Sequence, residues 1–196
     1  MGKLKIITTP LEGLYVVETE PFMDHRGIWA RIFCENELRE ILQNRHIVNI
    51  NLSKTSEQGT VRGMHYQLPP MAEMKLIRCT GGRIFDVAVD LRKNSPTYLH
   101  WHGEELSGES MKMFVIPEGF AHGFQALTDN IEMIYLHTEF YSQELERGVR
   151  YNDPAIGIQW PLKPTNLSER DQKHPMISNE DAEITITGNK NDTIHK

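Results

Sequence analysis

The sequence predicts an all-β protein, a barrel or a sandwich, and three observations lead to this prediction. Short runs of strand-forming residues recur along the chain, Gly and Pro (14 and 10 of 196 residues) separate them, and only one segment has helical spacing. No unit of 20–50 residues repeats, which argues against a solenoid or a propeller. The length fits one domain, which we place at residues 1–178, and the polar segment at 179–196 is expected to be a flexible tail.

Alternation between apolar and polar residues gives the clearest strands. In residues 83–91 every second side chain from position 85 onward is apolar, and in residues 132–138 the aliphatic side chains point opposite to Tyr135 and His137. Similar but less regular runs occur elsewhere and are bounded by turn residues. These further strands are predicted at residues 13–18, 28–33, 46–52, 60–67, 75–80, 98–106 and 111–116.

One short helix is predicted before residue 43. Asn36 can cap residues 37–42, which carry acidic residues in their first turn. Leu38, Ile41 and Leu42 then share one face at helical spacing. The segment therefore has the pattern of an amphipathic helix.

Charge and composition narrow the classes of partner and compartment. The chain has 21 Lys and Arg against 27 Asp and Glu, a formal charge of −6, so no overall attraction to nucleic acid or anionic lipid is expected. The longest apolar runs are far shorter than the ~20 residues that span a bilayer, and no secretory signal is recognised. Cys34 and Cys79 are isolated, which favours the cytoplasm.

Two segments place histidines where they could serve a site. Residues 60–67 are polar where a core strand would be apolar, and a bulge at Gly63 would bring Arg62 and His65 to one pocket. A surface strand with a hydrogen-bonded histidine explains the same pattern. A Pro-Glu-Gly turn precedes His122, which could lie in a barrel mouth or simply at a hairpin corner.

A third histidine pattern raises the alternative of a metal site. His100 and His102 share one face of a predicted strand, and Glu104 continues that face. A strand facing solvent explains the pair equally well. Lys75, which opens an apolar strand, and Asp171, which follows a possible Ser cap, have ordinary explanations when taken alone.

Taken together and in order, several motifs resemble one known family. They are GTVRGMHYQ, KLIRC, FDVAVDLRKNSPTY, IPEGFAHGF, IYLHTEFY, YNDPAIGIQWP and LSERD, and they extend over about residues 10 to 178. This order is similar to that of the dTDP-4-dehydrorhamnose 3,5-epimerase family. The resemblance implies a cupin-type jelly roll, a homodimer, no metal or other cofactor, and a nucleotide-linked 4-keto-6-deoxyhexose as substrate.

The resemblance also implies roles for individual residues. His65 would be the base, with Asp171 orienting its ring, Lys75 near the developing enolate oxygen and Tyr135 as the acid on the opposite face. Positions that would surround the sugar, the diphosphate and the nucleoside are Arg26, Arg31, Asn49, Asn51, Arg62, His122, Tyr141, Glu146 and Arg170. Arginine suits phosphate oxygens and supplies local positive charge in an acidic chain.

Three departures from the family pattern fall at nucleotide-contacting positions. The family usually has Gln-Asp-Asn where this chain has residues 49–51, an acid at Arg31 and a lysine at Arg170. The identity of the nucleoside therefore stays open. Inversion at C3, at C5 or at both also stays open, because it depends on the exact placement of the sugar. A metal-dependent cupin enzyme and a non-catalytic sugar-nucleotide-binding cupin are the more remote alternatives.

Overall fold

The computed structural model describes residues 3–177, which form thirteen strands and two short helices. The strands are β1 (Leu4–Thr8), β2 (Tyr15–Thr19), β3 (Phe22–Asp24), β4 (Gly27–Trp29), β5 (Asn49–Thr55), β6 (Val61–Gln67), β7 (Lys75–Gly81), β8 (Arg83–Asp90), β9 (Trp101–Ser107), β10 (Met113–Ile116), β11 (Phe120–Ala126), β12 (Ile131–His137) and β13 (Glu146–Gly148). The helices are α1 (Arg39–Leu42) and α2 (Glu169–Lys173). The predicted tail at 179–196 lies outside the described residues, so the boundary at residue 178 stays a prediction.

Two antiparallel sheets form a sandwich. The first has six strands in the order β1-β2-β10-β7-β12-β5, and the second has five in the order β13-β6-β11-β8-β9. Strands β3 and β4 form a separate hairpin. This architecture confirms the predicted all-β fold and the jelly-roll arrangement. No helix within residues 3–177 is long and apolar enough to cross a membrane.

The hydrophobic core lies between the two sheets. Ile77 and Phe114 from the first sheet pack in one cluster with Ile84 and Phe124 from the second, and each is at most 1% exposed. Full burial of such a side chain contributes roughly 1.5–3 kcal/mol to stability. The interior is therefore dry and well packed at one end, which leaves the other end for polar side chains.

A second apolar layer covers the outer face of the five-stranded sheet. Val149, Ile156 and Ile158, from the loops that follow β13, pack against Val87 and Ala121 of that sheet. Strand β11 is consequently buried at every position. Because both of its faces are covered, it lacks the polar–apolar alternation of a half-buried strand, and the sequence did not reveal it.

The predicted strands are confirmed with altered ends, and one of the changes has a local cause. The strand predicted at 98–106 begins only at Trp101, because Leu99 has a φ of 62° and residues 95–100 form turns. The strand predicted at 28–33 ends at Trp29. Strands β1, β3, β11 and β13 were not predicted.

The helix prediction was wrong in its N-terminal half. α1 begins at Arg39, its N-cap is Leu38, and no side chain caps it. Glu37 does not occupy a first helical turn, because its carboxylate accepts a hydrogen bond from the Leu4 N–H at 2.8 Å and another from Arg31. Asn36 therefore lies in a turn, although Leu38 is fully buried and the apolar face was predicted correctly.

Candidate active site

A cavity of about 730 Å³ opens between the two sheets at their polar end. Strands β6 and β11 supply one wall and strands β5, β7 and β12 the other, while α2 lies at the rim. Ten of the thirteen side chains predicted for the site line it: Asn51, Arg62, His65, Lys75, His122, Tyr135, Tyr141, Glu146, Arg170 and Asp171. The fold therefore collects residues from seven separate segments into one polar chamber.

The centre of the chamber is an imidazole–carboxylate pair. His65 Nε2 lies 2.8 Å from Asp171 Oδ1, and the Asp171 side chain is only 4% exposed. A carboxylate only accepts hydrogen bonds, so Nε2 must carry the proton in this contact. In a neutral ring the lone pair then lies on Nδ1, which makes Nδ1 the nitrogen available as a base.

Local structure holds the Asp171 carboxylate in place. Ser168 caps α2, accepting a hydrogen bond from the Asp171 N–H, and the Gly63 N–H donates to Asp171 Oδ2 at 3.2 Å. Burial alone would raise the pKa of Asp171, but the hydrogen bond and charge of His65 and the Gly63 N–H keep that pKa below its ordinary value. Asp171 is therefore an ionised partner for the imidazole.

The predicted bulge at Gly63 is present. Gly63 has a φ of 133°, and a Cβ there would lie 2.5 Å from the Cα of Gly123 on the neighbouring strand. The pairing of β6 with β11 shifts register between His122 and Phe124. This irregularity turns Arg62 and His65 toward the same cavity, which a regular strand would not do.

His122 forms a second imidazole–carboxylate pair, deeper than the first. Its Nε2 lies 2.6 Å from Asp86 Oδ1, and both side chains are almost completely buried. Burial lowers the pKa of His122 and raises the pKa of Asp86. The His122 imidazole is therefore held neutral beside the chamber, where it can donate or accept a hydrogen bond.

Lys75 stands on the opposite wall in a network of its own. Its Nζ lies 3.2 Å from Glu73 Oε1 and donates to the backbone carbonyl of His65 at 3.3 Å. Glu73 Oε2 lies 2.8 Å from His137 Nδ1. Burial alone would raise the pKa of Glu73, but His137 and Lys75 lower it, so Glu73 is an ionised bridge between them.

Tyr135 faces the chamber from β12, as the alternation predicted. Its ring stacks on His137 at 6.0 Å and meets the His122 ring edge-on at 6.0 Å. Burial raises the pKa of Tyr135 far above that of an exposed tyrosine. The phenol therefore keeps its proton, and it lies on the wall opposite the strand that carries His65.

The rim of the cavity carries positive charge and an aromatic ring. Arg170 Nη1 donates to Glu146 Oε2 at 2.8 Å, and Tyr141 Oη donates to the same oxygen at 2.9 Å. Tyr141 is 63% exposed. An exposed ring beside a guanidinium is a suitable surface for stacking a nucleobase next to a phosphate.

Comparison with known proteins identifies the family. A sequence model described as dTDP-4-dehydrorhamnose 3,5-epimerase matches residues 8–179. The chain belongs to this family. A dTDP-4-dehydrorhamnose 3,5-epimerase of Shigella flexneri is 42% identical over 169 residues, which cover 86% of this chain and 93% of that protein.

Solved structures agree in fold with this epimerase. The crystal structure of dTDP-6-deoxy-D-glucose-3,5-epimerase from Legionella pneumophila, in complex with dTDP-4-keto-L-rhamnose, has a TM-score of 0.87 and 37% identity, and covers 93% of this chain and 97% of its own. A 3′-monoepimerase from Streptomyces bikiniensis in complex with dTDP-quinovose has a TM-score of 0.79 and 30% identity, covering 86% and 85%. The chain therefore resembles both a 3,5-epimerase and a monoepimerase.

Three of the residues expected from the family pattern do not reach the cavity of this chain. Arg26 lies at the tip of the exposed β3–β4 hairpin and pairs with Asp24 at 2.5 Å. Arg31 is held by Glu37. Asn49 shares a face of β5 with the cavity residue Asn51 but lies one pleat nearer the start of the strand.

The alternative metal site at His100, His102 and Glu104 is not assembled. His100 lies outside the strand, His102 Nε2 is 3.7 Å from Glu104 Oε2, and Lys112 already pairs with Glu104 at 2.5 Å. Within residues 3–177 no third His, Cys, Asp or Glu joins them at ligand distance.

One other group in the described part of this epimerase has the residue types of a metal site. Ligand atoms of His65, Asp171 and His174 lie within 4.8 Å of one another. The Arg170 guanidinium lies 3.3 Å from His65 Nε2, where its charge opposes a cation. We therefore do not assign a metal to this cluster.

Sequence reasoning missed three polar partners in the chamber of the epimerase. Asp86 pairs with His122, and Glu73 joins Lys75 to His137. The alternation had already placed His137 on the face of Tyr135, and this was the one signal available. The contact between Glu73 and His137 could not be predicted from local sequence, because the two residues are 64 positions apart.

Proposed function

We propose that this protein is a nucleotide-sugar isomerase that inverts C3 and C5 of dTDP-4-dehydro-6-deoxy-D-glucose and yields dTDP-4-dehydro-L-rhamnose. The observation that carries the proposal is the His65–Asp171 pair in a chamber whose opposite wall presents Tyr135. A base and an acid on opposite walls are what inversion at carbon requires. Family membership and the ligand named for the Legionella structure support the substrate class.

The reaction starts from the acidity that the 4-keto group gives to its neighbours. The C–H bonds at C3 and C5 are both adjacent to the carbonyl, so loss of either proton forms an enolate. His65 Nδ1 takes the proton, and Asp171 accepts the hydrogen bond from Nε2–H and stabilises the resulting imidazolium.

Lys75 stabilises the negative charge that develops on the ketone oxygen. Its ammonium group is fixed by Glu73 and by the His65 carbonyl, so little reorganisation is needed when charge appears. The buried, neutral His122 supplies a further hydrogen-bonding group on the same side as His65. Fixed groups that are partly buried in this way act more strongly than they would in solution.

Tyr135 returns a proton to the opposite face of the carbon. Its raised pKa keeps the phenol protonated until the enolate forms, and its wall faces the one that carries His65. Removal from one side and return from the other inverts the centre. Carrying this out at both carbons requires the sugar to present C3 and then C5 between the same two groups.

The rim residues bind the nucleoside diphosphate. Arg62 and Arg170 supply charge for phosphate oxygens, and Tyr141 stacks on the base. Departures from the family pattern at residues 49–51, Arg31 and Arg170 fall on this part of the substrate. Thymine is the proposed base, because the ligands named for the similar structures are dTDP derivatives.

A homodimer is part of the proposal, and exposed apolar surface supports it. The β3–β4 hairpin exposes Met23 (66%) and Trp29 (52%), and the edge strand β5 exposes Ile50 (67%) and Leu52 (60%). Such surface on a hairpin and an edge strand marks an interface.

A cytoplasmic location is also proposed. Cys34 and Cys79 are both free thiols, as expected in a reducing compartment. Cys79 is buried and Cys34 is half-buried. The sugar nucleotide that the proposal names as substrate is likewise an intracellular type of metabolite.

The decisive experiment follows hydrogen exchange by NMR in deuterated water. With dTDP-4-keto-6-deoxyglucose, the proposal predicts deuterium at both C3 and C5. Label at one carbon would make the protein a monoepimerase, like the Streptomyces bikiniensis neighbour. Tight binding without label would indicate a non-catalytic binding protein and would contradict the proposal.

A further inference from the structure

We propose that His174 is a positioning residue for the catalytic pair, donating a hydrogen bond from its Nε2–H to Asp171 Oδ1. This is the same oxygen that accepts His65 Nε2–H. His174 Nε2 lies 3.6 Å from Asp171 Oδ1, slightly beyond hydrogen-bond length. Catalytic hydrogen bonds are often long before substrate binds and shorten in the complex.

The His174 ring occupies a space beside His65 that exists because residue 148 is a glycine. Gly148 pairs with His65 across β13 and β6, and a Cβ at Gly148 would lie 2.4 Å from the ring atoms Cε1 and Nε2 of His174. Any other residue at 148 would push the ring away. The His174 ring then meets the His65 ring edge-on, with centroids 5.4 Å apart.

The backbone on which the ring is mounted is also fixed. Arg150 Nε donates to the His174 carbonyl at 2.8 Å, and the Arg150 N–H donates to the Pro175 carbonyl at 3.0 Å. His174 follows directly after α2, whose first turn holds Asp171. The His174 imidazole and the Asp171 carboxylate thus belong to one short segment, and the hydrogen bonds from Arg150 fix the backbone at its end.

Its Nε2 is a buried polar atom that no other group satisfies. The side chain is 13% exposed, and Nε2 has no hydrogen-bond partner among the described residues. A buried donor without a partner is costly, which favours closure onto the nearest acceptor, Asp171 Oδ1. The charged and titratable groups that face His174 are Asp171, His65, Arg170 and Glu146.

The ring is neutral in this environment. Burial is the largest cause that lowers the pKa of His174, and the nearby His65 and Arg170 add to it. A neutral ring beside a carboxylate that only accepts is expected to carry its proton on Nε2. It therefore acts as a donor to Asp171 without cancelling the carboxylate's charge.

When His65 and His174 both donate to Asp171 Oδ1, the carboxylate stabilises protonated His65 less than it would with His65 as its only ring donor. His174 would thereby keep His65 unprotonated, and ready as a base, at lower pH. This inference rests on the proposed function, because Asp171 affects turnover only if His65 is the base. His174 itself touches no reacting atom.

The test compares variants at positions 174 and 148, because the His174 ring lies against Gly148. His174→Phe keeps a ring without a donor, and His174→Gln restores an N–H donor. Gly148→Ala displaces the native ring without changing its chemistry. Gly81→Ala is the matched control, since a Cβ there meets nothing closer than 3.4 Å.

We expect His174→Phe and Gly148→Ala to move the acid limb of the kcat/KM profile to higher pH by about 0.5–1 unit, because one hydrogen bond to the carboxylate is lost. Gln at 174 should recover most of the shift, and Gly81→Ala should show none. A third variant at position 174, His174→Ala, has no ring for a Cβ at position 148 to displace. Adding Gly148→Ala to it should therefore have no further effect on the pH profile. Unchanged limbs, or additive effects of the two substitutions, would overturn the inference.

Two further measurements separate this inference from the proposed function. NMR titration of the His65 imidazole in the substrate-free protein should show the same shift in His174→Phe, whatever substrate the enzyme uses. Absence of that shift refutes the role of His174 even if exchange at C3 and C5 is normal. Loss of wild-type activity in EDTA with recovery in Zn²⁺ would make His174 a metal ligand and would equally refute it.

Discussion

His65 Nε2 and Asp171 Oδ1 lie 2.8 Å apart although the two residues are 106 positions apart in the chain. The contact forms because β6 bulges at Gly63 and because Ser168 starts α2 beside that bulge. Each of these local features was visible in the sequence, but only the fold shows that they meet. The proposed reaction depends on this contact.

Replacement of His65 tests the base directly. His65→Asn should lower exchange at both C3 and C5 by at least about 10²-fold, because no group with a suitable proton affinity replaces the imidazole. Asp171→Asn should lower it less but substantially, since the ring loses its fixed tautomer. NMR in deuterated water measures both. The control is His46→Asn, which breaks an exposed imidazole–carboxylate pair with Glu35 and should leave the rate unchanged.

Replacement of Tyr135 separates proton removal from proton return. Tyr135→Phe keeps the ring that stacks on His137 but removes the acid. Exchange should persist at one carbon at least, while net formation of the L-rhamno product falls by about 10²-fold or more. Parallel NMR of label and product measures the two processes. Tyr98→Phe, outside the cavity, serves as control, and equal loss of exchange and product would argue against this division of roles.

The fold class was predictable because alternation along a strand records local burial. Strand β11 was not predicted, because both of its faces are buried and its sequence therefore has no alternation of polar and apolar residues. The resemblance located most of the cavity residues, but it could not show that Arg26 and Arg31 lie outside the cavity of their own chain. The bridge from Glu73 to His137 was not predictable either, because it depends on how β7 and β12 pair.

Lys75 and Glu73 should behave as one unit. Lys75→Met removes the charge beside the enolate oxygen and should lower kcat by about 10²–10³-fold. Glu73→Gln leaves that charge in place but loosens it, so about a tenfold loss is expected. The double variant should be no worse than Lys75→Met alone, since Glu73 acts through Lys75. Steady-state kinetics of the three variants decides, and a multiplicative double effect would show that Glu73 acts independently.

The proposed dimer can be tested at the edge strand β5. Leu52→Glu places a charge on a side chain that is 60% exposed in the single chain and would be buried in the dimer. The dissociation constant should rise by about 10²-fold or more. Light scattering over a concentration series measures it. Ile6→Glu, on β1 at the other edge of the same sheet, should leave the assembly intact, and a monomeric wild type would refute the dimer.

Asp90 should make stability depend on acid. Its buried carboxylate accepts hydrogen bonds from Arg92, Ser95 and Thr97. Burial alone would raise the pKa of Asp90, but these partners, Arg92 first, hold that pKa below its ordinary value. Because the folded-state pKa is the lower one, the stabilisation is present above the unfolded value of about 3.9 and is lost as pH falls through the folded value.

Asp90→Asn should therefore cost about 3 kcal/mol at pH 7, because it leaves the Arg92 guanidinium without its carboxylate in a half-buried site. The difference between the variant and the wild type should shrink as the pH is lowered below about 4, because the Asp90 carboxylate of the unfolded chain takes up a proton first and that of the folded protein follows at lower pH. Urea unfolding at a series of pH values measures both quantities. Asp24→Asn, which breaks the pair with the 77%-exposed Arg26, should leave stability almost unchanged at every pH, because water screens this pair. If the difference in unfolding free energy between Asp90→Asn and the wild type stays constant down to acid pH, the charge of the Asp90 carboxylate is not what stabilises its contacts with Arg92, Ser95 and Thr97.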